Sequence, residues 1–271
     1  MEQTISYKKA PLVELIVEIQ WPVQTIGIPG GLPIIGGTSA VFDLWFQKLT
    51  GALNEQGFHN LERLVPHDMP PMAHQILYRY KKTNEQFPIV QFGHGIFTVN
   101  AGPPQYQSWE TFRPQVEQAL KALLDNKPGD LELKALSRAS LRYIDAFGEE
   151  LRQGASNYAF MRDEIGVTAN LPKGLLNLAT DENEINPTVA FRFPVKDDEN
   201  ATLAFQIAAG RLGNSSSTDT LMDITYLVGR EIDPTVESVL AILDKARGTI
   251  HAWFEKLTAK LHDRMEPITE S

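Results

Sequence analysis

The apolar positions along the chain change period repeatedly, and each change marks an element. Val13, Leu15, Val17, Ile19 and Trp21 alternate with Glu14, Ile16, Glu18 and Gln20. This period of two predicts a strand from Leu12 to Trp21 with one apolar face, ended by Pro22. A Gly/Pro-rich loop follows, Gly27 to Gly37. Thr38 or Ser39 is then expected to cap a helix whose stripe is Phe42, Trp45, Phe46, Leu49 and Leu53, stopped by Gly57. Residues 66–71 read as irregular. Three strands follow, at 75–82, 87–92 and 96–101, the last two joined by a Gly93-His94-Gly95 turn. Trp109, Phe112, Val116, Leu120 and Leu123 trace a second helix, with Pro114 at its start or at a kink.

The same order then recurs. A strand spans 137–147, a mixed helical stretch runs from Glu149 to about Pro172, and strands are expected at 188–195, 201–212 and 220–228. Polar loops at 196–200 and 213–219 separate these strands. The final element predicts one long helix, capped by Asp233, with Pro234 in its first position, running to about Met265. The expectation is an α+β fold of two similar halves, residues 1–128 and 129–271. Each goes strand, helix, three-strand meander, long helix. By element order alone this is the layout of TATA-binding-protein-like and helix-grip folds.

Composition narrows the chemistry. The chain has 271 residues, a formal net charge of −9 and no cysteine. Disulfides, thiolate metal sites and a cysteine nucleophile are excluded. A reducing, cytoplasmic setting is expected, with no secretory leader and no membrane-length apolar run. Residues 1–128 carry a net charge of −1 and residues 129–271 carry −8. That imbalance disfavours nucleic acid as a partner. The standard signatures for phosphate loops, zinc peptidases and serine hydrolases are missing. The Gly27 to Gly37 loop lacks a lysine and reads as structural. The six histidines show no dependable zinc spacing, although His251, Glu255 and His262 share the last helix. No metal, cofactor or catalytic residue is assigned.

The most chemically dense strand is 137–147. Arg138, Ser140 and Arg142 share one face, and Tyr143 and Asp145 share the other with apolar neighbours. Arg138 and Arg142 match the spacing of Glu14 and Glu18, so ion pairs between adjacent strands are the plainest expectation; an anion held by the arginines is the alternative. Asp145 among apolar residues must be hydrogen-bonded or protonated. The tryptophans fall on helical stripes and read as core.

Three segments also resemble one family. They are Lys9-Ala-Pro11-Leu-Val-Glu14-Leu-Ile-Val-Glu18-Ile-Gln-Trp21, Leu141-Arg142-Tyr143-Ile144-Asp145, and Ile250-His251-Ala-Trp253-Phe254-Glu255-Lys-Leu257-Thr258. They are similar to a sporadically distributed family of uncharacterised bacterial proteins, whose pattern has Asn where this chain has Asp145. The patchy distribution implies an accessory role of the phage-defence or toxin–antitoxin type. Two functions are therefore expected from the sequence. The first is a non-enzymatic binding or regulatory protein acting through a protein partner or homodimer. The second is a ligand-binding or catalytic pocket between the sheet and the long helix. The candidate binding residues are Glu14, Glu18, Arg138, Arg142, Tyr143, Asp145 and His251.

Overall fold

The computed structural model describes residues 6–26, 34–35, 40–129, 133–168, 185–196, 198–213 and 217–268. The capping residues expected at Thr38 and Ser39, and most of the Gly27 to Gly37 loop, lie outside that set. Nine strands form one antiparallel sheet. From the N-terminal half come β2 (Leu12–Gln20), β5 (Asn60–Arg63), β6 (Ile76–Lys81), β7 (Ile89–Gly93) and β8 (Ile96–Ala101). From the C-terminal half come β9 (Arg138–Phe147), β10 (Thr188–Val195), β11 (Asp198–Gly210) and β12 (Asp219–Val228). The halves join where β2 pairs with β9. Outward from that seam the order is β8, β7, β6, β5 on one side and β12, β11, β10 on the other. This is an α+β fold with both halves in a single sheet and one continuous apolar core.

Three long helices lie on one face of the sheet. They are α1 (Ala40–Glu55), α2 (Trp109–Asp125) and α5 (Val236–Leu257). Period two explains why that face is apolar. Leu15, Val17 and Ile19 of β2 stand beside Ala139 and Leu141 of β9 and Phe97 and Val99 of β8, all buried. Trp45 of α1 packs its ring 5.0 Å from that of Trp21, and its indole N–H donates to the Leu123 carbonyl of α2 at 2.9 Å. Ser108 caps α2 reciprocally with Thr111, and Pro114 sits within the second turn.

Several expectations are corrected. The cap of the last helix is Thr235, whose hydroxyl accepts the Ser238 N–H at 3.2 Å; Asp233 and Pro234 precede it. The helix ends at Leu257 rather than near Met265. Thr258 turns its hydroxyl onto the Phe254 carbonyl at 2.8 Å, and a short 3-10 turn and α6 (His262–Met265) follow. The expected loop 196–200 is a tighter hairpin, because β11 begins at Asp198, whose carboxylate accepts from Tyr226 and Lys245. The N-terminal meander has four strands rather than the expected three, because β5 adds to the edge beside β6. Two short ribbons were also without signal in the pattern: β3 (Thr25–Ile26) with β4 (Ile34–Ile35), and β1 (Ser6–Tyr7) with β13 (Pro267–Ile268). The second ribbon brings the two ends of the described chain together. Shorter helical segments, α3 (Glu149–Arg152) and α4 (Asn157–Ala159), occupy the mixed stretch after β9. Among the described residues no helix is long and apolar enough to cross a membrane.

Candidate functional site

Where β9 ends against the start of β2, the helical layer does not close over the sheet. A pocket of about 690 Å³ remains. Its floor is Tyr143 and Asp145, its helical wall is the second half of α5, and the segment leading into α2 forms the opposite wall. Residues of the β1–β13 ribbon stand at its mouth.

Each wall has a local cause. On α5 the first turns bury Val239, Leu240, Leu243 and Ala246 in the core. Beyond them Arg247, Ile250, His251, Phe254 and Glu255 follow at helical spacing, so one face turns to the pocket. The opposite wall depends on Gly102. A Cβ there would fall 2.5 Å from the Phe87 ring and 2.7 Å from the Val13 carbonyl, so only glycine lets the chain pass. The Tyr106 N–H then donates to the Gly102 carbonyl at 2.9 Å, which sets the tyrosine over the floor. The two helical walls are tied together by Asp244 of α5. It accepts from the Trp109 indole at 2.9 Å and takes a two-pronged contact from Arg113.

Asp145 is the unusual group. It is 3% exposed, and its Oδ2 has no hydrogen-bond partner among the described residues. Burial, with a smaller contribution from the charge of Asp223, pushes its carboxyl up to about 7. The carboxyl is therefore poised to exchange a proton near neutrality. The Tyr106 and Tyr143 hydroxyls lie 3.4 Å apart, and both feel the charges of Asp145 and Arg247. Burial first, and their mutual contact next, holds the Tyr143 phenol well above its ordinary range; burial likewise raises Tyr106. Both are neutral hydroxyls at any physiological pH. Glu110, in the first turn of α2, is held low by its own backbone N–H, by Ser108, and by Arg247 and His251. At the mouth, the Tyr7 hydroxyl lies 2.9 and 3.1 Å from the two oxygens of Glu255. His262 Nε2 sits 3.3 Å from the same carboxylate but out of line for a hydrogen bond.

The candidate residues divide cleanly. Tyr143, Asp145 and His251 line the pocket. Glu14, Glu18, Arg138 and Arg142 belong to the opposite face of the sheet. Strands β2 and β9 are neighbours as expected, but the ion pairs expected there do not form as drawn. The register sets Arg142 opposite Ile16, and its guanidinium turns to Asp223 on β12 instead. Glu14 accepts from Asn100 at 2.7 Å, and Glu18 from Gln20 at 2.9 Å. The pattern of the sequence did not mark Tyr106, Tyr7 or Arg247. The one readable signal was the run Arg247, His251, Glu255 at steps of four. Trp109, read as core, is buried and also lines the pocket. Among the described residues no three side chains of the metal-ligating kinds gather, and the His251, Glu255 and His262 trio is no exception. Compared with protein-family models, curated proteins and solved structures, the chain finds no match, so the reading of this pocket rests on its own residues.

Proposed function

We propose that the protein binds a small molecule in the pocket between β9 and α5. The observation that carries this reading is Asp145, a buried carboxyl with a free oxygen at the floor of a pocket about 690 Å³ in volume. A pocket of that size suits a ligand of metabolite dimensions. A buried carboxyl oxygen without a donor is costly, and a donor on a bound molecule would relieve that cost. On the opposite face of the sheet, Glu14, Glu18 and Arg142 already have partners within the chain, which weakens that face as a recognition surface.

A protein-partner reading, of the regulatory or accessory-system kind, draws instead on edge strand β10. Phe191 and Phe193 stand 43% and 37% exposed there. Such residues on an edge strand suit a partner protein or a second copy. The mirrored strand order about the β2–β9 seam supports reading the two halves as a duplication, in the manner of TATA-binding-protein-like or helix-grip layouts.

Native mass spectrometry of the protein purified from its own host tests the pocket. A retained small-molecule mass is expected in the wild type and not in Ala10→Trp, which fills the mouth from an exposed position. No retained mass, or the same mass in both, rejects the pocket; a co-purifying protein lost in Phe193→Ser favours the edge strand.

A further inference from the structure

Five aromatic rings line the pocket. Tyr7, Tyr106, Trp109, Tyr143 and Phe254 all contribute to its wall. Ring faces carry partial negative charge and attract cations, and a cage of them is a common way to hold an ammonium group. Two carboxylates accompany the rings. Glu255 is engaged by Tyr7, while the Oδ2 of Asp145 is open. A neutral hydroxyl donor would satisfy that oxygen but leave a desolvated charge uncompensated; an N–H bearing a positive charge does both.

We propose that the ligand carries a protonated primary or secondary amine, which donates to Asp145 Oδ2 while its apolar body lies among the rings of Tyr106, Tyr143 and Phe254. The inference rests on the pocket being a ligand site. Arg247 and His251, on the helical wall, do not oppose it alone, because Glu110 shares their field.

The binding is linked to protons. Asp145 has to be ionised to hold the ammonium, and in the free protein it is half-protonated near neutrality. Its surroundings are the neutral phenols of Tyr143 on its own strand and Tyr106 before α2. Asp223 lies on β12, paired with Arg142. Arg247, His251 and Glu255 lie on α5, with Tyr7 and Lys8 beside β13.

The test uses three probes that share a phenethyl body and differ in head group, phenethylamine, 2-phenylethanol and 3-phenylpropionate, titrated calorimetrically into the full-length protein. The amine is expected to bind at least about tenfold more tightly than the other two, an advantage lost in Asp145→Asn. Its affinity in the wild type is expected to fall by about tenfold for each pH unit below 7, and to keep that slope in His251→Gln. Equal or tighter binding of the alcohol or the carboxylate overturns the amine while leaving the pocket standing. Amine binding that is unchanged in Asp145→Asn, or flat with pH, also overturns it. Failure of all three probes overturns the amine too, and the pocket itself is then judged by the mass retained from the host.

Discussion

The Tyr106 hydroxyl meets the Tyr143 hydroxyl at 3.4 Å, joining the segment before α2 to the central strand β9 beside a buried acid. Gly102 makes the contact possible from one side and the pleat of β9 from the other. The distance is long for an O–H···O bond, so the pair is weak on its own. Tyr106→Phe and Tyr143→Phe are each expected to cost about 0.5–1.5 kcal/mol in denaturant unfolding. The double variant should cost less than the sum, by about 0.5 kcal/mol, because either single change already removes the contact. Strict additivity would show that the hydroxyls act independently.

Asp244 joins the two helical walls through two different bonds, and they can be separated. Its ion pair with Arg113 is partly exposed and worth less than about 1 kcal/mol. The indole N–H of Trp109 is buried, so losing its acceptor costs about 1–3 kcal/mol. Asp244→Asn keeps an acceptor and is expected to lose little stability, whereas Asp244→Leu is expected to lose the larger amount. Thermal unfolding of the two variants at equal ionic strength decides it. Equal losses would assign the clamp to charge.

The ribbon at the mouth is tied down by Tyr7, by backbone pairing and by the ion pairs of Lys9 with Glu150 and Glu266 at 2.7 Å. The Tyr7 hydroxyl contacts both oxygens of Glu255, and the backbone N–H groups of Lys8 and Lys9 donate to Glu266 and Met265 at 3.0 Å. Tyr7→Phe leaves those backbone bonds and the ring beside Phe254 but removes the hydrogen bonds to Glu255 of α5. Hydrogen exchange at Lys8 and Lys9 is expected to accelerate at least about tenfold, with exchange in β9 unchanged. Unchanged exchange at the ribbon would mean that backbone pairing and the Lys9 ion pairs hold it without the Tyr7 hydroxyl.

The elements most readable in the sequence were those with long periodicity. β2 and β9 announced their faces by alternation, and alternation alone puts Tyr143 and Asp145 together on the face of β9 that the helices cover. The pocket was less readable for three physical reasons. Tyr106 follows Gly102, Pro103 and Pro104 in a segment without period, so its aim depends on how closely the backbone passes Phe87. The β1–β13 ribbon pairs two-residue strands from opposite ends of the chain, and no local pattern encodes so distant a pairing. The spacing of Arg138 and Arg142 points to Glu14 and Glu18 on β2, but each strand has two neighbours, and Arg142 pairs with Asp223 on β12 instead. The break of α5 at Thr258 was hidden because Leu261 continues the apolar stripe across it.

Asp145 and His94 are expected to impose opposite pH dependences on stability. His94 is buried, stacks 3.7 Å from the Phe42 ring, and leaves Nε2 without a hydrogen bond; desolvation lowers its pKa from 6.5 to about 4. Between those values the unfolded chain binds a proton that the native state refuses, so His94 makes stability rise with pH through that window. Asp145 runs from 3.8 unfolded to about 7 folded. There the native state holds the proton and the unfolded chain has lost it, so Asp145 makes stability fall as pH rises from about 4 to about 7. Each slope approaches about 1.4 kcal/mol per pH unit at most, and between about pH 4.5 and 6 they nearly cancel. The carboxylates held low by partners, such as Asp198 and Glu117, change their contribution below this window. The wild type should therefore show a nearly flat urea midpoint from about pH 4.5 to 6. Asp145→Asn should become more stable with rising pH, exposing His94, and should exceed the wild type clearly at about pH 8. His94→Phe should become less stable with rising pH, exposing Asp145, and the double variant should be flat again. A wild-type slope that survives unchanged in both single variants would show that neither group is held in the charge state its burial demands.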